Sequence, residues 1–259
     1  WKTLRVHADE ILKDQHLRYI MDRYATYSGS DPRKAPAVLS TIAFVEESFG
    51  AWHVKGGLGQ LTEKVYQRAA DVGVTFHLNS PVASITTKGK KATGVVLADG
   101  TMVAADAVVA NADASLVYNE LITGHKRLLK KARKNIASAD VSVAGFSLLL
   151  GMRKDPDQVL NHHTILFPEN YDAEFDAIFT HGKPVEKPTI YICAPHDEAM
   201  TKDETLEGWF VLVNAPTHGQ FDWSNADFAR DYANSIIDQI EARGISVRDR
   251  LESLTIRTP

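Results

Sequence analysis

The first stretch whose residue types point to chemistry is "KGGLGQL" at residues 55–61. A glycine-rich turn between a strand and a helix binds phosphates, because its backbone N–H groups point at the anion from the start of the helix. The dinucleotide pattern G-x-G-x-x-G is only half present, since Thr62 stands where its third glycine belongs. The segment before the turn is short and polar, and Asn79 stands where the ribose-binding acid is expected. The sequence therefore does not predict a self-sufficient dinucleotide-binding fold.

The paired glycines Gly56 and Gly57 still have a chemical use. Residues without a Cβ let the backbone pass very close to a flat or bulky group. The alternative is an ordinary turn at the N-terminus of a helix. Spacing alone leaves both interpretations open.

Other reactive residue types form weaker patterns. His162 and His163 are adjacent, and adjacent side chains in a strand point to opposite faces, so we expect that they do not ligate one metal ion. The sequence contains no H-E-x-x-H motif, no paired cysteines and no calcium-type acidic loop, and no metal site is predicted. Gly145 and Ser147 resemble the start of a G-x-S-x-G elbow, but Leu149 replaces the last glycine, which argues against a hydrolase.

The composition is that of an ordinary globular protein. Of 259 residues, 44% are hydrophobic and 24% charged, and the net charge of −4 gives no electrostatic basis for binding nucleic acid. Cys193 is the single cysteine, so no internal disulfide is possible and a reducing, cytosolic setting is expected. Within its apolar run, Cys193 is predicted to be a small buried hydrophobe. The longest apolar run, residues 141–152, is shorter than the roughly 20 residues of a bilayer span.

Periodicity predicts an α+β protein. Helices are predicted before residue 25, from Pro36 to residue 49, and over residues 58–72, where Leu58, Leu61, Val65, Ala69 and Val72 share one face before Gly73. Strands are predicted at residues 74–78, 82–87, 92–98 and 101–105, with a hairpin turn at Asp99-Gly100, and at 106–112 before a helix cap at Asp113.

The second half continues this mixture of elements. Further strands are predicted at residues 141–150, 162–167, 188–195 and 208–216, in an antiparallel sheet, with helices at 115–122, 171–179 and 226–242. A β-rich insert at about residues 53–112 is thus flanked by two parts of another domain. The basic run at residues 126–134 is either a solvated helix face or a surface that meets a membrane.

Two quoted stretches together resemble a known family. Residues 50–85, "GAWHVKGGLGQLTEKVYQRAADVGVTFHLNSPVASI", and residues 94–113, "GVVLADGTMVAADAVVANAD", are similar to the middle of bacterial-type phytoene desaturases. These are FAD-dependent carotenoid oxidoreductases of the amine-oxidase-like flavoprotein superfamily. The downstream "HHTILFPENYDAEFDAIF", "IYICAP" and "GWFVLVNAP" also resemble that family's substrate-domain segments.

The resemblance implies that the chain is an internal portion of a longer enzyme. Residues 1–52 would begin the substrate domain, residues 53–112 would return to the FAD-binding domain, and residues 113–259 would complete the substrate domain. The glycine-rich loop that binds the FAD pyrophosphate would lie outside this stretch, so the isolated chain is expected to be inactive and to hold FAD weakly.

Four residues match cofactor-binding positions of the family. Gly56 and Gly57 match the motif that brings backbone near the flavin, and the main chain of Val82 matches a position at the adenine end of FAD. Asn111 lies on the strand where the chain leaves the FAD-binding domain. No catalytic residue and no metal ligand is assigned by the resemblance.

The chemistry implied is the removal of two hydrogens from a long polyene hydrocarbon. A hydride leaves an allylic carbon for the flavin, and a proton leaves the neighbouring carbon. The protein would hold the hydrocarbon in an apolar tunnel built by strands such as "SVAGFSLLL" and "TIYICA", and would touch a membrane peripherally. Alternatives are a related carotenoid isomerase, saturase or ketolase-like flavoprotein, or a non-catalytic lipid-binding module of the same fold.

Overall fold

The computed structural model describes residues 2–122 and 126–259 of the chain. They form two compact units, the first of residues up to Glu63 together with Ser142–Pro259, and the second of Lys64–Val141. The α-helices are α1 (Leu4–Ile11), α2 (Gln15–Arg23), α3 (Ser40–Phe49), α4 (Leu58–Asp71), α5 (Ala114–Leu116), α6 (Lys126–Ala137), α7 (Asp172–Phe175) and α8 (Ala226–Glu241). The strands are β1 (Val82–Lys88), β2 (Lys91–Leu97), β3 (Met102–Ala104), β4 (Ala144–Arg153), β5 (His163–Leu166), β6 (Ile190–Cys193), β7 (Leu206–Ala215) and β8 (Leu251–Arg257).

A five-stranded antiparallel sheet dominates the first unit, in the order β5-β6-β7-β4-β8. Because side chains alternate along a strand, one face carries the buried side chains. Ile192, Val211 and Leu148 lie in one cross-strand row on that face, and all are at most 1% exposed. The apolar side of α8 packs against the same core. The predicted α+β class with an antiparallel sheet is therefore confirmed.

The opposite side of this sheet remains partly accessible, and we call it the open face. Most side chains that the alternation points away from α8 are half-buried or exposed, whereas Ser147 and Asn214 on this face are buried. The residues of the open face used below are His163, Ile165, Tyr191, Cys193, Phe210, Leu212 and Leu149. Most of these side chains are apolar, so this face is better suited to contact with an apolar molecule than with water.

The N-terminal helices belong to the first unit, and ion pairs of Arg5 hold them in place. The Arg5 guanidinium donates to Asp22 at 2.7 Å and to Asp172 at 2.6 Å, which links α1, α2 and α7. Burial raises the pKa of the Asp22 carboxyl to about 6, although Arg5 opposes this shift. The predicted helix after Pro36 begins with a short 3-10 turn, Ala37–Leu39, and continues as α3.

The second unit contains a three-stranded sheet in the order β1-β2-β3. The predicted hairpin is confirmed, with Gly100 at φ 87° and the Asp99 carboxylate accepting the Thr101 N–H at 2.9 Å. The predicted cap at Asp113 also forms, since its side chain accepts the Ser115 N–H at 2.8 Å. No helix among the described residues combines the length and hydropathy that a bilayer crossing requires.

Two strands predicted for the second unit are wrong. Residues 74–78 and 106–112 are irregular, and Val109 is 93% exposed. Their sequences carry the apolar character of buried strands, but a strand forms only where another strand accepts and donates its backbone hydrogen bonds. Neither segment has such a partner within the described parts of the chain.

Candidate functional site

The paired glycines adopt backbone conformations that explain their residue type. Gly56 has φ 80° and Gly57 has φ 84°, a region that side-chain-bearing residues rarely occupy. A Cβ added at Gly56 would lie 3.0 Å from Gln60 Cγ, and one at Gly57 would lie 3.4 Å from Met200 Cε. The loop therefore passes close to the segment that follows β6, and α4 begins immediately after it.

Asp197 anchors this loop. Its carboxylate accepts the Gly56 N–H at 2.6 Å and the Ala199 N–H at 2.9 Å, and His53 Nε2 lies 2.8 Å from Oδ2. The hydrogen bond with His53 and the two backbone donors lower the pKa of the Asp197 carboxyl to about 2. The group is ionised at neutral pH and holds the loop through charge-assisted bonds. Sequence reasoning missed Asp197, whose only local signal is an acidic residue before the short helical turn at Glu198–Met200.

A groove of about 440 Å³ opens at one end of the open face. Tyr27 and Gly29 lie on one side of it, and Gly145, Leu212 and Asn214 on the other. The Gly29 carbonyl accepts the Val143 N–H at 2.9 Å, which joins the two sides. No charged side chain among the described residues lines the groove, and its lining mixes apolar residues with the polar side chains of Thr26, Ser28, Ser142 and Asn214.

A buried carboxyl lies directly behind this groove. Glu174 is 0% exposed; it accepts the Thr189 N–H at 2.6 Å and the side-chain amide of Asn214 at 2.8 Å. Burial raises the pKa of the Glu174 carboxyl, and these hydrogen bonds and the charge of Arg23 only partly offset the effect. Asn214 therefore links the groove to the Glu174 carboxyl, whose pKa is raised by burial. Nothing in the sequence around Glu174 marked it.

The two adjacent histidines come together rather than diverging. Ring nitrogens of His162 and His163 and the Cys193 Sγ all lie within 4.8 Å of one another. The expectation that the two side chains point apart is wrong, because β5 begins only at His163 and His162 precedes the pleated strand. Cys193 is half-buried on the open face rather than a buried core residue. The ring of His53 lies 5.0 Å from that of His162. The loop of residues 53–57, which contains Gly56 and Gly57 and is called the double-glycine loop below, therefore lies at this end of the open face.

The other two predicted cofactor residues belong to the second unit. Val82 begins β1, pairs with Leu97 and is 37% exposed. Asn111 is exposed in the irregular segment before α5. Gly56 and Gly57 lie in the first unit, and the cofactor roles of all four residues stay predictions.

Curated relatives of the chain are carotenoid enzymes. A zeta-carotene-forming phytoene desaturase from Myxococcus xanthus is 34% identical over 223 residues, which cover 85% of this chain and 42% of that protein. A lycopene-forming phytoene desaturase from Paracoccus sp. is 31% identical, covering 100% of this chain and 52% of that protein. A 4,4'-diaponeurosporene oxygenase from Staphylococcus aureus is 28% identical and covers 94% and 48%. The chain spans about half the length of the curated relatives it matches.

Solved structures with little sequence similarity share the fold. An oxidoreductase from Methanosarcina mazei has a TM-score of 0.66 at 12% identity, covering 100% of this chain and 56% of that one. Cyclohexylamine oxidase from Brevibacterium oxydans has a TM-score of 0.52 at 13% identity, covering 99% and 53%. Residues 5–204 match the family described as flavin containing amine oxidoreductase, and the chain belongs to that family.

Proposed function

We propose that this chain is part of an FAD-dependent desaturase that dehydrogenates a long polyene hydrocarbon in carotenoid biosynthesis. The observation that carries the proposal lies within the first unit. A backbone loop of two left-handed glycines lies at one end of an apolar sheet face that remains accessible. Family membership and the named activities of the relatives support this interpretation.

The chain's own residues would bind and orient the substrate. The side chains of Phe210, Leu212 and Ile165 supply apolar surface along which an extended hydrocarbon can lie, and they exclude water from it. FAD, when bound, supplies the acceptor for the hydride that leaves the allylic carbon. We assign the backbone of Gly56 and Gly57 to the flavin, Val82 to the adenine end and Asn111 to the exit of the FAD-binding segment. The same proposal divides the chain at residues 1–52, 53–112 and 113–259.

A water-insoluble substrate makes contact with a membrane surface part of the proposal. Helix α6 carries exposed Lys130, Lys131 and Lys134, while Leu129 on its inner side is 6% exposed. Arg133 donates instead to the carbonyls of Tyr118 and Asn119 and fixes the helix within the second unit. The three lysines are thus available to the anionic headgroups of a cytoplasmic leaflet.

The decisive experiment uses the full-length protein that contains this chain, incubated with phytoene in liposomes. We expect protein that purifies yellow with bound flavin, and coloured products with additional double bonds. Leu212→Lys should retain flavin but lower turnover at least about tenfold, because a charge then lies in the hydrocarbon wall. Val159→Lys, at a position that is 69% exposed, is the matched control.

The outcomes separate the alternatives. A flavin-free protein that binds the polyene without converting it would identify a lipid-binding module. An isomerised, saturated or oxygenated product would point to one of the related flavoenzymes. The 259-residue chain alone should lose FAD on gel filtration, and stoichiometric retention would contradict the assignment of the pyrophosphate loop to another part of the protein.

A further inference from the structure

Three side chains with metal-binding atoms converge at the β5–β6 end of the open face. His163 and Cys193 are direct cross-strand partners, and the rings of His162 and His163 lie 4.4 Å apart. Their ligand atoms are all within 4.8 Å of one another. We infer that His162, His163 and Cys193 bind one divalent transition-metal ion, and that Zn²⁺ fits this set of two imidazoles and one thiolate.

The distances are compatible with a tetrahedral ion after small side-chain rotations. Zinc bonds of about 2.0–2.3 Å place neighbouring ligand atoms about 3.3–3.6 Å apart, and the observed spread is 4.8 Å or less. His163 is exposed while His162 and Cys193 are half-buried, so an ion can enter from solvent. Three protein ligands leave a fourth position for water, as in sites that remain open.

A second layer of contacts orients the ligands. The Tyr191 hydroxyl lies 2.8 Å from His163 Nδ1, which leaves Nε2 of that ring free to bind the ion. Outer partners of this kind fix the ring orientation of histidine ligands and raise their affinity for metal. Tyr191 therefore serves as a positioning residue for His163.

A metal ion binds these side chains as neutral imidazole and as thiolate. An ion here would join the residue before β5 to both strands at this edge of the sheet.

The test uses untagged, chelator-treated protein kept under a non-coordinating reductant. Zn²⁺ is titrated in competition with a chromogenic chelator, and Co²⁺ serves as a probe because its visible spectrum reports a tetrahedral site with thiolate ligation. We expect one equivalent of metal per chain. Cys193→Ser, His163→Ala and His162→Ala should each weaken binding at least about 100-fold, and Tyr191→Phe about tenfold. His218→Ala, an exposed histidine elsewhere in the first unit, is the matched control.

Every result bears on the inference, and none depends on flavin or turnover. Less than one equivalent bound, or unchanged affinity in Cys193→Ser, would overturn it. Loss of binding in Cys193→Ser alone would reduce the site to a single reactive thiol and overturn it equally. Melting curves with and without Zn²⁺ give a second measurement, because only protein with all three ligands should be stabilised by the ion.

Discussion

At the scale of single residues, Asp197 controls the conformation of the double-glycine loop. Replacing it by Ala removes the acceptor of the Gly56 N–H and the partner of His53. We predict that the amides of residues 53–57 exchange with deuterium roughly tenfold faster in Asp197→Ala, because local opening of the loop no longer breaks charge-assisted bonds. Hydrogen exchange followed by mass spectrometry measures this directly.

The control is Asp222→Ala, since Asp222 accepts the N–H of its own turn at Ser224 and nothing from the loop. Acid gives an independent check on the wild type. The pKa of Asp197 is about 2 in the folded protein and 3.8 for an ordinary aspartate, so the stabilisation that this carboxylate provides is present above about pH 4 and is lost as the pH falls towards 2. Equal exchange in wild type and Asp197→Ala at neutral pH would contradict the anchoring role.

Glu174 should produce the opposite dependence on pH. Burial raises its pKa above 4.5, so the folded protein binds more protons than the unfolded chain as the pH rises from that value. Stability attributable to this group therefore decreases as the pH increases through the folded pKa. We predict that Glu174→Gln flattens this dependence, and that acidification from about pH 8 to about pH 5 raises the Tm of the wild type relative to that of the variant.

The measurement is the Tm of the wild type and of Glu174→Gln at the two pH values, with Glu204→Gln, at an exposed position, as the control. A variant whose Tm follows the wild type at both pH values would show that Glu174 does not titrate in this range. Both hydrogen bonds are kept when the Asn214 amide turns over, because the new side-chain oxygen then accepts the Thr189 N–H and the new NH2 group donates to Asn214 Oδ1.

At the scale of elements, the sequence predicted a helix that its own residues specify, but it failed for strands that form only by pairing with a distant segment. A helix was predicted at residues 226–242 and forms as α8, with Gly244 at φ 80° shortly after its end. The strands at residues 74–78 and 106–112 were wrong because strand formation depends on a partner, which no local pattern supplies. Strand β8 was missed for the same reason, since its seven residues alternate apolar and polar side chains only weakly and form a strand by pairing with β4.

The candidate site was predictable only in part, for a related reason. Gly56 and Gly57 were identified from their residue type alone, because residues without a Cβ let the backbone pass close to a bulky group. The convergence of His163 with Cys193 depends on the register of β5 and β6, which are separated by more than twenty residues in the chain. Asp197 and Glu174 gain their roles from distant backbone N–H groups, so their local sequences contain little information about them.

Helix α6 is the element whose surface we expect to bind membranes. Changing Lys130, Lys131 and Lys134 together to Glu should lower co-sedimentation with anionic vesicles at least about tenfold, because each lysine near such a surface contributes about 1 kcal/mol. Binding of the wild type should also fall as salt is raised. The matched control reverses three exposed lysines of the β1–β2 hairpin, Lys88, Lys90 and Lys91, in the same unit. Equal losses in both variants would indicate a response to net charge alone and count against a specific role of α6.

At the scale of the whole molecule, the amphipathic helix α4 leaves its apolar side exposed. Leu61, Val65 and Val72 were predicted to share one helix face, yet they are 52%, 61% and 61% exposed. An amphipathic helix of this kind is stabilised by burying its apolar side. We infer that the remainder of the longer protein covers this face, consistent with the chain spanning about half the length of its curated relatives.

This inference gives opposite expectations for one substitution in two proteins. In the 259-residue chain, Val65→Lys should change the Tm by less than about 2 °C, because the side chain is exposed there. In the full-length protein the same change would place a charge in a packed interface, and we expect a large fall in Tm together with loss of bound flavin. Thr62→Lys, an exposed position on the same helix, should have little effect in either protein. If Val65→Lys proved neutral in both, the apolar face of α4 would be an ordinary solvent-facing surface, and the assignment of α4 to a flavin-binding domain would lose its physical basis.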